Sequence, residues 1–166
     1  VIASAQALMP RLASPESILA TSVDLRPGVE IEPQALASIL VDGGYERQDP
    51  VDEHGEFSVR GGILDVYPAG EPAPIRIEFI GDSVESIRRF DPGTQRSIET
   101  LDQFQIVPVR EPVDAGQATV FDYLRASKPF RAVIAEPEYV RGSIEKWTEQ
   151  TQASHEERIS DKAGPG

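Results

Sequence analysis

Every cation between Ser17 and Val113 is an arginine: Arg26, Arg47, Arg60, Arg76, Arg88, Arg89, Arg96 and Arg110. The lysines, Lys128, Lys146 and Lys162, all lie later in the chain. An arginine fork can grip a carboxylate through two parallel hydrogen bonds and is enriched where proteins meet. Carboxylates are plentiful, since Asp and Glu number 28 against 16 Lys and Arg, for a net charge of −12. The spacing in Ile75-Arg76-Ile77-Glu78-Phe79 places the apolar side chains on one strand face and Arg76 and Glu78 on the other. That polar face is either a solvated surface with an exposed ion pair, worth little stability, or a recognition face. Arg88 and Arg89 are adjacent and alternate faces, so at most one of them joins Arg76 and Glu78. Asp65, inside Gly62-Ile63-Leu64-Asp65-Val66, is a carboxylate in an apolar run, and burial would oblige it to find a partner. Its expected role is to cap a neighbouring turn.

Other chemistries fall away. With no cysteine, disulfides, thiol catalysis and cysteine zinc sites are excluded. His54 and His155 lack partners at metal-ligand spacing, and Asp52-Glu53-His54-Gly55-Glu56 reads as a polar turn before a strand. No glycine-flanked serine elbow occurs, nor G-x-x-x-x-G-K-[ST] or G-x-G-x-x-G. Gly61-Gly62 reads as a bulge or a close backbone approach within a sheet. Tyr139 and Trp147 suit helix packing better than base stacking. The acidic balance argues against a general nucleic-acid binder, whose affinity comes from neutralising phosphates. No run of 18 apolar residues spans a membrane, and no secretory signal opens the chain. Val1 stands where a methionine would begin an open reading frame, so a piece of a longer protein is expected.

The elements that would position these residues are as follows. Val1–Ser4 is strand-like, and residues 5–12 read as a helix with Pro10 badly placed inside it. Ser14-Pro15-Glu16-Ser17 has linker composition. Residues 18–25 read as a strand turned by Arg26-Pro27-Gly28. Pro33 suits a first helical position; Leu36, Ile39 and Leu40 form an apolar stripe, and Gly43-Gly44 ends the helix. From Tyr45 to Val109 the period becomes two, with strands at 56–60, 63–67, 75–80, 84–90 and 104–109. Pro68-Ala69-Gly70, Gly81-Asp82 and Asp91-Pro92-Gly93 separate them, the last as a type II turn. Short turns between consecutive strands imply an antiparallel meander. With one or two helices on its apolar face, it makes an α+β fold. After Glu111-Pro112, residues 119–124 read as a helix, 131–135 as a short buried strand, and 138–157 as a helix running into a polar tail.

Residues 44 to 111 carry a resemblance. Gly44-Tyr45-Glu46-Arg47, the run from Gly55 to Pro68, Arg76-Ile77-Glu78-Phe79 and the run from Arg88 to Ser97 resemble the UvrB-type interaction domain. That module occurs in the excision-repair protein UvrB and in transcription-repair coupling factors (Mfd), the latter being the nearer likeness. The resemblance implies an interaction domain at 17–113, inserted in a degenerate RecA-like domain whose halves are 1–16 and 114–166. It implies that arginines matching Arg47 and Arg60 and a glutamate matching Glu78 contact the damage sensor UvrA, with Arg76 as their neighbour. Ser58 stands where UvrB-kind members carry an arginine. Ala135-Glu136 stands where an Asp-Glu pair would help hold Mg²⁺, and alanine has no oxygen to offer. The phosphate-loop segment would precede Val1. The expectation is therefore a non-catalytic module without cofactor or metal in a bacterial cytoplasmic protein, reaching RNA polymerase and DNA only through other domains and not binding membranes. The alternatives are a fragment of a UvrB-like ATP-dependent helicase, or a weak DNA-binding domain using the arginine-bearing sheet.

Overall fold

The computed structural model describes residues 2–111, 116–127 and 129–162. Val1, the expected boundary between 113 and 114, and the tail from 163 fall outside these residues. The chain divides into two compact units, Pro15–Ala115 and the pair of segments Val1–Ser14 and Gly116–Gly166. Mixed helices and small, mainly antiparallel sheets make it an α+β protein.

The unit at Pro15–Ala115 is built on a six-stranded sheet in chain order. Its strands are β2 (Glu46–Arg47), β3 (Glu56–Arg60), β4 (Ile63–Val66), β5 (Ile75–Ile80), β6 (Ser83–Phe90) and β7 (Ser97–Leu101). β3 to β7 form the expected antiparallel meander. Two strands were not anticipated. β2 is only two residues long and joins β3 in parallel, and β7 follows the 91–96 loop with no apolar alternation to announce it. Residues 104–109 do not extend the meander. Only β8 (Phe104–Ile106) is a strand, and it pairs antiparallel with β1 (Val23–Leu25) in a separate ribbon. The residues before β1 are helical instead of extended: α2 (Pro15–Ala20) starts at the proline taken for a linker, because Pro15 fits a first turn that needs no N–H from it.

One helix, α3 (Pro33–Asp42), packs against β2, β3 and β4. It buries Leu36, Ala37 and Leu40, while Ile39 remains 39% exposed, so the buried stripe is shifted from the expected one. The chain leaves it through Gly44, at φ +89°, where a Cβ would lie 2.7 Å from the Cβ of Arg110. The core joins Leu36, Leu40 and Tyr45 to Phe57, Leu64, Val66, Ile75, Ile77, Phe79 and Ile87 from the sheet, with Leu25 and Ile106 from the ribbon. Gly61-Gly62 is the two-residue turn between β3 and β4, since Arg60 pairs with Ile63, and not a bulge in a strand. The close approach is real: a Cβ at Gly62 would stand 2.9 Å from the carbonyl oxygen of Phe79. A register irregularity lies opposite, between Glu78 and Phe79, and a second lies between Arg89 and Phe90.

In the other unit α1 is short (Ala5–Leu8) and ends before Pro10, as proline cannot continue the hydrogen-bond ladder. Residues 2–4 form no strand. Leu12 and Ala118 exchange backbone hydrogen bonds of 2.9 and 3.0 Å, and the Tyr123 hydroxyl donates to the Ala13 carbonyl at 2.7 Å. The helix expected at 119–124 is α4 (Val120–Ser127). In its first turn the Asp122 carboxylate accepts the Thr119 hydroxyl and N–H, which holds that carboxyl below the usual range. Residues 131–135 form no strand, and Val133 and Ile134 are exposed. α5 (Pro137–Lys162) is longer than anticipated at both ends. No helix among the described residues is long and apolar enough to cross a membrane.

Candidate functional site: the charged face of the sheet

Strand alternation gives the six-stranded sheet two unlike faces. Val59, Leu64, Ile77, Ile87 and Leu101 are cross-strand neighbours on the side covered by α3. One residue along, the register Ser58–Asp65–Arg76–Arg88–Thr100 runs across the opposite side. Glu78 and Ser86 sit one step further along, level with Arg60 and Ile63.

Asp65 is the centre of this second face. It is 2% exposed and caps no turn, contrary to expectation. It receives a bidentate grip from Arg76, with Nε to Oδ1 at 2.7 Å and Nη2 to Oδ2 at 2.8 Å. Arg60 adds Nη2 to Oδ2 at 2.9 Å. A buried carboxylate is tolerable only with such partners. The hydrogen bond to Asp65 raises the Arg76 guanidinium above its ordinary pKa, against the opposing effect of burial. Arg76 also lies over the Phe90 ring, 4.4 Å from its centroid, and donates to Gln95 Oε1 at 2.8 Å.

The loop that supplies Gln95 is not a type II turn, because its left-handed residue is Gln95, at φ +60°, and not Gly93. Asp91 organises it by accepting the Thr94 N–H at 2.7 Å and the Thr94 hydroxyl at 2.9 Å, so its carboxyl lies below the usual range.

Arg76 and Glu78 share the face as expected but do not pair with each other. Glu78 Oε2 accepts from Arg88 Nη2 at 2.6 Å and from the Ser86 hydroxyl at 2.7 Å. Arg76 and Arg88 face one another in register, and each is neutralised by its own acid, which removes the cross-strand repulsion. Arg88 therefore joins the face. Arg89 points the other way, onto Glu71 and Glu99. The hydrogen bond to Glu71 raises its pKa.

The four residues singled out from sequence thus separate. Arg60, Arg76 and Glu78 are brought together. Arg47 is not, because it is registered with Phe57 and lines a groove of about 310 Å³ with Gln34, Ala37, Ser38, Val41 and Asp42 on the α3 side. It makes no salt bridge or side-chain hydrogen bond among the described residues. Side-chain exposure divides the rest: Arg76 is spent inward at 18%, while Arg60 at 47% and Arg88 at 37% still offer guanidinium to a partner.

A family model described as the UvrB interaction domain matches residues 23–111, over half of the sequence. The chain belongs to the UvrB interaction domain family. Among its relatives is the transcription-repair-coupling factor of Bacillus subtilis, 40% identical over 141 residues, which cover 77% of this chain and 12% of that protein. The corresponding factor of Haemophilus influenzae is 30% identical over 141 residues, covering 85% of this chain and 12% of that protein. The UvrABC system protein B of Synechocystis is 37% identical over 99 residues, covering 60% of this chain and 15% of that protein. The chain thus spans about an eighth of the length of the coupling factors it matches.

Within this UvrB interaction domain, sequence reasoning singled out Asp65 but not its partners, and it missed the supports Phe90 and Gln95. Asp65 carries a signal, a carboxylate between apolar neighbours. Phe90 and Gln95 carry none, since only the register and the loop conformation bring them to Arg76. Ser58 is 2% exposed, and its hydroxyl has no hydrogen-bond partner among the described residues. No group of three or more His, Asp or Glu among the described residues is placed to hold a metal ion.

Proposed function

We propose that this chain is the non-catalytic docking module of a transcription-repair coupling protein, and that its charged sheet face binds UvrA to start nucleotide excision repair. The observation that carries the reading is the Asp65 cluster: Arg60 and Arg76 are fixed by a buried acid on a rigid sheet, with Arg60 still half exposed. A guanidinium held in place loses little rotamer freedom on binding, and charged pairs of this kind set specificity and orientation. The face is charge-balanced, with Arg60, Arg76 and Arg88 set against Asp49, Asp65 and Glu78. That balance suits a protein partner of mixed charge better than a phosphate backbone.

Matches of 141 residues to two coupling factors, against 99 to UvrABC system protein B, favour the first over a UvrB-like helicase. RNA polymerase and DNA would be engaged by other parts of the longer protein, and the setting would be the bacterial cytoplasm. The unit formed by both ends of the chain would be the two halves of a RecA-like host, with the docking module inserted between them. Bringing Leu12 to Ala118 supports that arrangement. Size-exclusion chromatography with purified UvrA tests the reading: the chain should co-elute, and failure to co-elute at concentrations well above micromolar would overturn it.

A further inference from the structure

We infer that Asp49 is an internal competitor at this face: its carboxylate occupies the outer end of the Arg60 guanidinium, where a partner's carboxylate would dock. The inference rests on the proposed docking surface and concerns how that surface is tuned. The two ends of the Arg60 fork are held unequally. Its inner nitrogen Nη2 lies 2.9 Å from Asp65, which is buried. Its outer nitrogen Nη1 is 3.3 Å from Asp49 Oδ1, a looser contact between groups that are 47% and 53% exposed. The inner bond fixes the direction of the side chain, whereas the outer one is an exposed ion pair of small value.

Asp49 is nonetheless kept close. Its loop is pinned by Gln48 N donating to the Phe57 carbonyl at 2.9 Å, and by the N–H groups of Asp52 and Glu53 donating to Glu56 Oε2 at 2.9 Å. A tethered carboxylate acts at high effective concentration. An incoming acid must displace it, which lowers apparent affinity by the fraction of time the position is taken. A monodentate or weakly held acid competes poorly against such a neighbour. A partner offering a well-placed carboxylate together with a base for Asp49 competes well. The mechanism therefore sharpens specificity at a small expense in affinity.

The test is calorimetric titration of UvrA with the wild-type chain, Asp49→Asn, Asp52→Asn, Arg60→Ala and the double variant Asp49→Asn/Arg60→Ala, at one ionic strength. Thermal melts confirm that each variant is folded. Asp49→Asn should bind roughly two- to fivefold more tightly, the range an exposed pair supports. Asp52→Asn removes the same charge from the same loop and should bind like wild type. The double variant should bind no better than Arg60→Ala alone. An unchanged or weakened Asp49→Asn overturns the inference, as does an equal gain in Asp52→Asn or a gain that persists without Arg60. Absence of any wild-type binding overturns the docking surface itself, an outcome distinct from wild-type binding with no gain in Asp49→Asn.

Discussion

The two faces of the six-stranded sheet are made from alternate residues of the same strands, yet they are held together by different physics. Beneath α3, Leu64, Ile77 and Ile87 are wholly buried, and what matters is volume and apolar area. Across the sheet, Asp65 is as deeply buried, but it is defined by direction: three hydrogen bonds from two arginines. The apolar face tolerates any residue that fills the space, whereas the charged face tolerates only residues that reach. That difference suits the second face to recognition, because a geometry fixed for internal reasons is already set when a partner arrives.

The largest expected effect is on the apolar side. Ile77→Ala should cost about 3 kcal/mol or more in urea denaturation, the transfer loss plus the cavity left between β4 and β6. A much smaller loss would mean that the layer is loosely packed. Asp65→Asn should come next, at about 2 kcal/mol, because Arg76 is left mostly buried with donors unsatisfied while Arg60 turns to water. Arg76→Lys should recover little, since an ammonium cannot span both carboxylate oxygens. Full stability in Asp65→Asn would show that the cluster is ornamental to the fold.

A third effect is confined to alkaline pH. Burial pushes the Tyr45 hydroxyl up to about 12, and it donates to the Val107 carbonyl at 2.8 Å. The unfolded chain ionises first, near the ordinary value of 10, so stability is complete below pH 10 and falls as pH rises towards 12. Tyr45→Phe should flatten that decline while losing about 1 kcal/mol at neutral pH. The smallest effect is at the sheet edge. Arg47→Ala should shift stability by less than about 0.5 kcal/mol, because its side chain is exposed and unpaired among the described residues. A larger change would reveal a structural task for the groove beside α3.

The apolar layer was readable in the chain because period-two alternation marks Ile75, Ile77 and Phe79 directly. The charged face was readable only in part. Alternation put Arg76 and Glu78 on one side, but local spacing cannot say that Arg76 meets Asp65 or that Glu78 meets Arg88. Those pairs depend on the connections at 67–74 and 81–82, which set the register of β4 with β5 and of β5 with β6. The resemblance named Arg47 beside Arg60, yet β2 runs parallel to β3 and registers Arg47 with Phe57, an arrangement no two-residue strand announces. The segments at 18–22 and 131–135 were misjudged for a related reason. β-branched and apolar residues favour strands only where a neighbouring strand accepts them.

One comparison tests the docking face most directly: binding of Arg60→Ala and Arg47→Ala to purified UvrA, measured side by side with wild type by size-exclusion co-elution, with melts as folding controls. Alanine is preferable to charge reversal at Arg60, because a new carboxylate there would lie against Asp65 and unsettle the fold. Arg60→Ala should stop co-eluting while Arg47→Ala is weakened far less, both melting near wild type. Co-elution of folded Arg60→Ala with UvrA at wild-type strength would contradict the docking face.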